Sequence, residues 1–391
     1  MKKLWDQRYS EPGNAYGMEP KTTCVHAGTL FDEKTRGVNS PIYTSSSFEY
    51  LDLDEAVYPR YFNIPNTEAI GEKIATLEQA DAGMVFSSGM AAITSVLFTF
   101  LRQGDHAIFQ TGLYGGTFHF VTTELERFGI AYDISVDNEP ATFEGLIKEN
   151  TRLIYIETPS NPLLRITDIK ATVNLARSYK LITVIDNTFA SPINQNPHQL
   201  GIDVVIHSAT KYLGGHADIC AGAAASGKEN MLKIRDMARG LGGSLNAQTV
   251  YLLERSIKTL ALRIEQQNLN AQFLAEKLSV HPSIEHVYYP GLANHPEHEI
   301  ARRQMSGFGG MLSFEIRDLD PVEFQRNLKL IRPSVSLGGV DTIICSPALT
   351  SHRHLNPQEK KNEGISDNLL RLSVGIEDPD DLLRDIEQAI S

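Results

Sequence analysis

Between residues 83 and 207 short apolar runs recur at intervals too long for hairpins. The runs are Gly83–Phe86, His106–Gln110, Ala131–Val136, Leu153–Glu157, Leu181–Asp186 and Asp203–His207. Stretches with helical spacing separate them, at about 89–101, 117–128, 141–149 and 167–180. Continuous β-branched runs suit strands buried on both faces, and parallel strands need crossovers of a dozen or more residues. The alternation therefore predicts an α/β fold with a mostly parallel central sheet sandwiched by helices. Upstream, Thr67 can cap a helix running to about Glu78, with Ile70, Ile74 and Leu77 on one face.

After residue 245 the rhythm changes. Helical stretches at about 247–260 and 262–279 precede candidate strands Ile284–Tyr289, Gly310–Ile316, Thr342–Ser346 and Leu370–Val374, and the helix Asp380–Ile390 closes the chain. These predict a smaller C-terminal α/β domain. The first 60 residues are rich in Gly, Pro, Ser and Tyr and lack periodicity, as an extended arm ordered against a neighbouring subunit would. The expected division is an arm over 1–60, a main domain over 61–250 and a C-terminal domain over 251–391. A chain of 391 residues has length for about two domains.

Charge excludes some partners. Lys and Arg number 36 against 48 Asp and Glu, a net −12. An acidic chain is a poor partner for a phosphate backbone or an anionic membrane, so neither nucleic acid nor membrane is expected. The apolar stretch Ala91–Leu101 falls short of the roughly 20 residues that span a bilayer. No apolar run follows Lys2 and Lys3, so no signal peptide is read there. Cys24, Cys220 and Cys345 are too few for a disulfide scaffold, which favours reduced thiols and a cytoplasmic location.

In open α/β sheets ligands bind beyond the carboxyl ends of the strands. Four junctions there carry polar residues. Ser87-Ser88-Gly89-Met90 leads from a strand into a helix, where backbone N–H groups can cradle an anion. Thr158-Pro159-Ser160-Asn161-Pro162 holds Asn161 at the sheet edge. Asp186-Asn187-Thr188 ends a buried strand with a carboxylate that needs a partner. Ser208-Ala209-Thr210-Lys211 sets an amine among hydroxyls, and a desolvated amine is a nucleophile toward carbonyls. Alone, each has a structural reading: an ordinary turn, a helix cap or salt bridge, or a lysine reaching solvent. Together they match the needs of pyridoxal 5′-phosphate (PLP): donors for its phosphate, an anion for its pyridinium nitrogen and a lysine for its aldehyde.

On these residues the chain resembles the PLP enzymes of cysteine and methionine metabolism: cystathionine synthases and lyases, methionine γ-lyases and homoserine sulfhydrylases. The motifs are Tyr58-Pro59-Arg60, Ser87-Ser88-Gly89-Met90, Tyr114-Gly115-Gly116-Thr117, Glu157-Thr158-Pro159-Ser160-Asn161-Pro162, Asp186-Asn187-Thr188-Phe189, Ser208-Ala209-Thr210-Lys211, Ser336-Leu337-Gly338-Gly339 and Arg371-Leu372-Ser373-Val374-Gly375-Ile376-Glu377. The resemblance implies PLP-dependent transferase fold type I, with 61–250 as the PLP-binding domain. It implies that Lys211 carries the cofactor as a Schiff base and later moves protons, and that Asp186 pairs with the ring nitrogen. Tyr114 would stack on the ring and serve as acid or base. Ser88, Gly89, Met90, Ser208 and Thr210 would hold the phosphate. Tyr58 and Arg60 would reach the phosphate of a neighbouring subunit in a homo-oligomer, a tetramer built as a dimer of dimers. Asn161 would orient the ring hydroxyl, and Arg371 with Ser336 would hold the substrate carboxylate. Tyr114 and Asn161 would also face the amino-acid substrate.

Three departures bear on this. Asn63-Ile64-Pro65-Asn66 replaces the usual Asn-Pro-Thr, with one extra residue after Arg60. His119 and Val335 stand where cystathionine γ-synthases and γ-lyases carry Arg and Glu, which removes charge from the end of the pocket that would meet the second amino-acid end of cystathionine. Methionine γ-lyases share the Val but usually carry Cys where this chain has Gly116. The expected reaction is elimination of a thiol from a thioether amino acid of methionine or cystathionine type, giving ammonia and a 2-oxo acid. The alternative is γ-replacement on an O-acylhomoserine, as in cystathionine γ-synthase or homoserine sulfhydrylase. Outside the family, Gly222–Lys228 nearly spells a P-loop, but Glu229 stands where Mg²⁺ needs a hydroxyl. His295-x-x-His298 and His352-x-His354 lack a metal-site pattern, and the first pair, on a polar stretch, reads as exposed helix residues, so no metal is expected. A non-catalytic binding protein would need the lysine chemistry lost, and Tyr114, Asp186, Lys211 and Arg371 are all present.

Overall fold

The computed structural model describes residues 18–391 apart from 354, 355, 357, 359, 361 and 362. The first part of the expected arm, and His354, lie outside the described residues. A seven-stranded sheet contains β1 (Ala82–Phe86), β2 (His106–Phe109), β3 (Ala131–Ile134), β4 (Thr151–Glu157), β5 (Ile182–Asp186), β6 (Val204–His207) and β7 (Gly222–Ser226). Their order is β1-β7-β6-β5-β4-β2-β3, and every pairing is parallel except those made by β7. The alternation of side chains divides the core by face. Phe109, Tyr155, Val184, Val204 and Ile206 pack to one side, while Ile108, Ile154, Ile156, Ile185 and Val205 pack to the other.

A second, five-stranded sheet holds β8 (Ile284–Tyr288), β9 (Met311–Ile316), β10 (Arg332–Pro333), β11 (Ile343–Cys345) and β12 (Leu369–Ser373), in the order β10-β11-β12-β9-β8. It is antiparallel except for the β10–β11 pair. The helices Leu260–Ser279 and Pro379–Ile390 pack on one face, where Leu312, Phe314, Leu370 and Leu372 meet Leu274, Leu278 and Ile386. No helix among the described residues is long and apolar enough to cross a membrane.

Several local expectations are corrected. The P-loop-like string is the strand β7, followed by the helix Lys228–Leu241. Its small residues hide it from a hydrophobic pattern, but they are required: a Cβ on Gly222 would lie 2.1 Å from the carbonyl oxygen of Ser88. The helix expected from Thr67 starts at Pro65, with Ile64 at the N-cap, and the Thr67 hydroxyl donates to the Ile64 carbonyl. Proline suits that first position because its missing N–H would be unpaired anyway. The arm includes a short helix, Pro20–His26. The fully buried Lys73 donates to the Cys24 carbonyl within it, at 3.0 Å. The extra residue after Arg60 is absorbed by a left-handed Phe62 at φ 61°. Asn63 then staples the loop, accepting from the Tyr58 N–H and donating to the Ala56 carbonyl.

Candidate active site

The helix Gly89–Phe100 begins where β1 ends. Ser88 caps it, its hydroxyl accepting from the Ala91 N–H at 3.0 Å. The first N–H groups of a helix have no partner inside it, so those of Gly89 and Met90 are open to an anion. Ser208 closes the cradle from the end of β6: a Cβ on Gly89 would lie 2.9 Å from the Ser208 Cβ. Only glycine leaves that space. The Thr210 hydroxyl donates to the Ala221 carbonyl and accepts from the Ala221 N–H, just before β7.

The parallel strands β4, β5 and β6 end side by side and present Glu157, Asp186 and His207. Glu157 and Asp186 are direct register partners, 3% and 5% exposed. Thr188 donates to Asp186 Oδ1 through both its N–H and its hydroxyl, and the same hydroxyl accepts from the Ser208 N–H at 2.8 Å. One threonine thus ties the strand-end carboxylate to the cradle. Burial pushes the Asp186 carboxyl above the usual range, opposed by the Thr188 hydrogen bonds and the nearby His207. His207 is held from behind by Glu78, at 2.5 Å.

Lys211 follows β6, and its Nζ donates to Ser336 Oγ at 2.6 Å. Burial, then the charge of Arg371, pushes its amine down to about 8. Arg371 is buried mid-strand on β12. It donates through Nη1 to Asn161 Oδ1 at 2.8 Å and through Nη2 to the Ser336 carbonyl at 3.0 Å. Ser336 is in the left-handed region at φ 84°, a conformation that concentrates at functional sites. Its loop lies against the lysine: a Cβ on Gly338, itself at φ 77°, would come within 2.7 Å of the Tyr212 N. Arg371, Asn161, Ser336 and Lys211 therefore form one connected group across the two sheets.

Tyr114 precedes the helix Gly115–Thr123, and its N–H donates to Glu157 Oε2 at 2.9 Å. Burial raises its hydroxyl pKa, and the charge of Asp186 pushes it the same way, so the proton stays on. A Cβ on Gly116 would lie 2.6 Å from the Tyr114 ring and 3.2 Å from Met90 Sδ, which places the ring beside the cradle.

Tyr58 and Arg60 make no hydrogen bond to this group among the described residues. Arg60 stacks against both Tyr58 and Tyr61 and donates to the Arg239 carbonyl, and no hydrogen bond joins it to Ser88, Ser208 or Lys211 among the described residues. His119 and Val335 are exposed near Tyr114 and Ser336. His295, expected at the surface, is buried at 7% exposure, and His298 bonds the Pro290 carbonyl through Nδ1. Sequence reasoning carried Glu157 and Thr188 only as motif letters, and Glu78 only as the end of a helix. It also missed Arg263, which is buried and donates through Nη1 to the carbonyl of Tyr212 at 2.8 Å, next to the lysine. An arginine on the inner face of a helix was the available signal.

The donor set fits PLP. A glycine-walled cradle supplies N–H groups for the phosphate, a buried strand-end carboxylate lies beside it, and an amine with lowered pKa stands within the same pocket. The arrangement defines a PLP-dependent enzyme on an α/β scaffold. Comparison with known proteins specifies it. The family described as Cys/Met metabolism PLP-dependent enzyme matches residues 21–391, and the chain belongs to that family. A cystathionine beta-lyase of Lactococcus lactis subsp. cremoris is 44% identical over 95% of this chain and 98% of its own. An L-methionine gamma-lyase of Fusobacterium nucleatum subsp. nucleatum is 40% identical over 94% of this chain and 97% of its own. The crystal structure of cystathionine gamma-lyase from Lactobacillus plantarum complexed with L-serine superposes with a TM-score of 0.92, at 40% identity, covering 95% of this chain and 98% of that one. Fold, cofactor and the carbon–sulfur lyase class of sulfur amino-acid metabolism thus stand as the sequence predicted.

Proposed function

We propose that the protein eliminates a thiol from a thioether amino acid of methionine or cystathionine type, releasing ammonia and a 2-oxo acid. The observation that carries this is the Arg371–Ser336–Lys211 group, which sets a fixed cation for an α-carboxylate beside an amine pushed down to about 8. PLP, when bound, supplies an aldehyde for the lysine and a ring that withdraws electrons from the substrate. Arg371 grips the carboxylate with its planar fork. Lys211 Nζ, held by Ser336 Oγ, takes the Cα proton and redelivers it. Asp186 holds negative charge opposite the ring nitrogen. Tyr114, kept protonated chiefly by burial, gives its proton to the departing sulfur. Asn161 would orient the ring hydroxyl, and the Ser88–Met90 cradle with Ser208 would anchor the phosphate, while Thr210, bonded to Ala221, braces the segment that carries Ser208.

The pocket mouth supports simple elimination over a cystathionine specialist. Neither His119 nor Val335 supplies the paired charges a second amino-acid end requires, and an unpaired polar end costs about 1–3 kcal/mol. The second reading is γ-replacement on an O-acylhomoserine. Comparing kcat/KM for methionine, cystathionine, cysteine and O-acylhomoserines separates the two. Formation of 2-oxo acid without a thiol co-substrate supports the lyase. Turnover only when sulfide or cysteine is added overturns it, and a dominant preference for cystathionine overturns the reading of His119 and Val335.

The proposed assembly is a homo-oligomer, a dimer of dimers, in which Tyr58 and Arg60 complete a neighbour's phosphate site. Arg60 uses its guanidinium on the Arg239 carbonyl and the Tyr58 and Tyr61 rings and makes no hydrogen bond to its own chain's cradle among the described residues, which supports this. Mixing Arg60→Ala with Lys211→Ala protein should restore activity that neither has alone; no restoration after subunit exchange refutes sharing. The proposed division is an arm over 1–60, a cofactor domain over 61–250 and a C-terminal domain over 251–391. Cys24, Cys220 and Cys345 are all unpaired, which supports a cytoplasmic location.

A further inference from the structure

Asp186 accounts for one of two carboxyl groups beneath the site. Glu157 is its register partner on the neighbouring strand, equally buried, and joins no ion pair among the described residues. The groups facing it are known from each side. From β5 comes Asp186, a like charge. From β4 itself comes Tyr155, two residues back and on the same face. From the loop before Gly115–Thr123 comes the Tyr114 N–H, at 2.9 Å on Oε2. From that helix comes the buried hydroxyl of Thr117. His207, the nearby imidazole on β6, faces Asp186 rather than Glu157. A buried carboxylate with a single backbone donor and a carboxylate neighbour is strongly disfavoured, and neutralisation by a proton relieves it. One cationic ring nitrogen offsets one negative charge, not two.

A second observation agrees. The Tyr155 hydroxyl and Thr117 Oγ1 are both fully buried near the carboxyl pair, and neither makes a well-formed hydrogen bond. Buried hydroxyls left this way are uncommon, because an unmet group costs free energy. A protonated Glu157 adds a donor beside these hydroxyls, whose lone pairs can accept, while Oε2 continues to accept from Tyr114. Burial and the Asp186 charge both act to keep that proton in place.

We propose that Glu157 is a carboxylic acid that stays protonated beneath the cofactor ring, where it fixes the Tyr114 loop and leaves Asp186 as the one negative charge for the ring nitrogen. It is a positioning residue, acting through Tyr114 and Asp186. The inference rests on the PLP assignment only for its second test. In the first, infrared spectra of the cofactor-free protein at neutral pH are compared between wild type and Glu157→Gln. Loss of a protonated-carboxyl band in the variant supports the proposal; loss of a carboxylate band instead overturns it. In the second, the visible band of the PLP-loaded proteins is titrated with pH. Glu157→Gln keeps the size, neutrality and acceptor of the acid, so its midpoint should stay within about 0.3 pH unit of wild type. A displacement of about one unit or more, the effect of removing a nearby charge, overturns the proposal. Glu157→Ala, which drops the Tyr114 contact, should raise KM more than Glu157→Gln; equal KM values for the two overturn the positioning role. Absence of any visible band in wild type would refute PLP binding, while the infrared test still decides the proton on Glu157.

Discussion

The two sheets contribute to the site in opposite ways. The parallel sheet gives its strand ends: Glu157, Asp186 and His207 each stand where a buried apolar run stops, and Lys211 follows within a turn. The antiparallel sheet gives the middle of a strand. On β12, Leu370 and Leu372 point into the second core, while Arg371 between them points back at Asn161 and Ser336. Parallel strands, covered on both faces, have only their ends free for polar work. An antiparallel sheet with one covered face can offer a residue anywhere along its length. The cofactor side is therefore built from loops that sequence motifs mark plainly. The substrate side depends on period-two alternation in a strand of only five residues.

This contrast can be tested from its strongest point downward. Replacing Lys211 by Ala should reduce turnover by about 10⁴-fold or more while far-UV circular dichroism and Tm stay near wild type; residual turnover near wild type would remove the parallel sheet's lysine from the chemistry. Arg371→Leu should lower kcat/KM by roughly 10²–10³-fold, the cost of leaving a carboxylate without its buried partner. Arg371→Lys should recover little, since an ammonium lacks the planar fork. If Arg371→Leu instead impairs PLP binding and leaves substrate KM alone, the division of labour between the sheets is wrong.

Uptake of PLP by the cofactor-free protein supplies a pH test. The folded-state value for Lys211 is lowered, so the neutral amine grows as pH rises toward about 8. The uptake rate should climb about tenfold per pH unit below that value and level off above it. A rate still climbing at pH 10 would mean that burial and Arg371 do not act on this amine. The smallest expected effect on activity lies in the second sheet's support. Asp385 accepts the N–H groups of Lys329, Leu330 and Ile331 at 2.8–2.9 Å. Asp385→Ala should cost about 2–3 kcal/mol in chemical denaturation with kcat held within twofold; a large fall in kcat with stability unchanged would tie that region to the chemistry.

What the sequence made legible follows the same division. Runs such as Leu181–Asp186 announced the parallel sheet because bulky β-branched residues mark strands buried on both faces. The strand Gly222–Ser226 stayed hidden because close approach to Ser88 demands glycine at 222 and the buried residues after it are small alanines, which carry little hydrophobic signal. The ligand-facing residues Asp186, Lys211 and Arg371 were readable through motif spacing. Their supports were not. Thr188, Glu78 and Arg263 act through hydrogen bonds between segments as far apart as 129 positions, and no local pattern encodes such a pairing. The start of the helix at Pro65 was misread for a related reason: Thr67 has a cap-forming side chain, but its hydroxyl serves the carbonyl of Ile64 from inside the first turn.

The partners of Arg371 have a consequence for traffic through the pocket. Asn161 and the Ser336 carbonyl are neutral, so the guanidinium joins no ion pair among the described residues. An arriving amino acid evicts no resident anion; it trades two uncharged contacts for a charged one. Association should therefore be quick and little slowed by the protein's own acidic surface. The same openness makes the pocket indiscriminate toward small anions, and sulfate or phosphate at high concentration should compete for the seat that the substrate carboxylate uses.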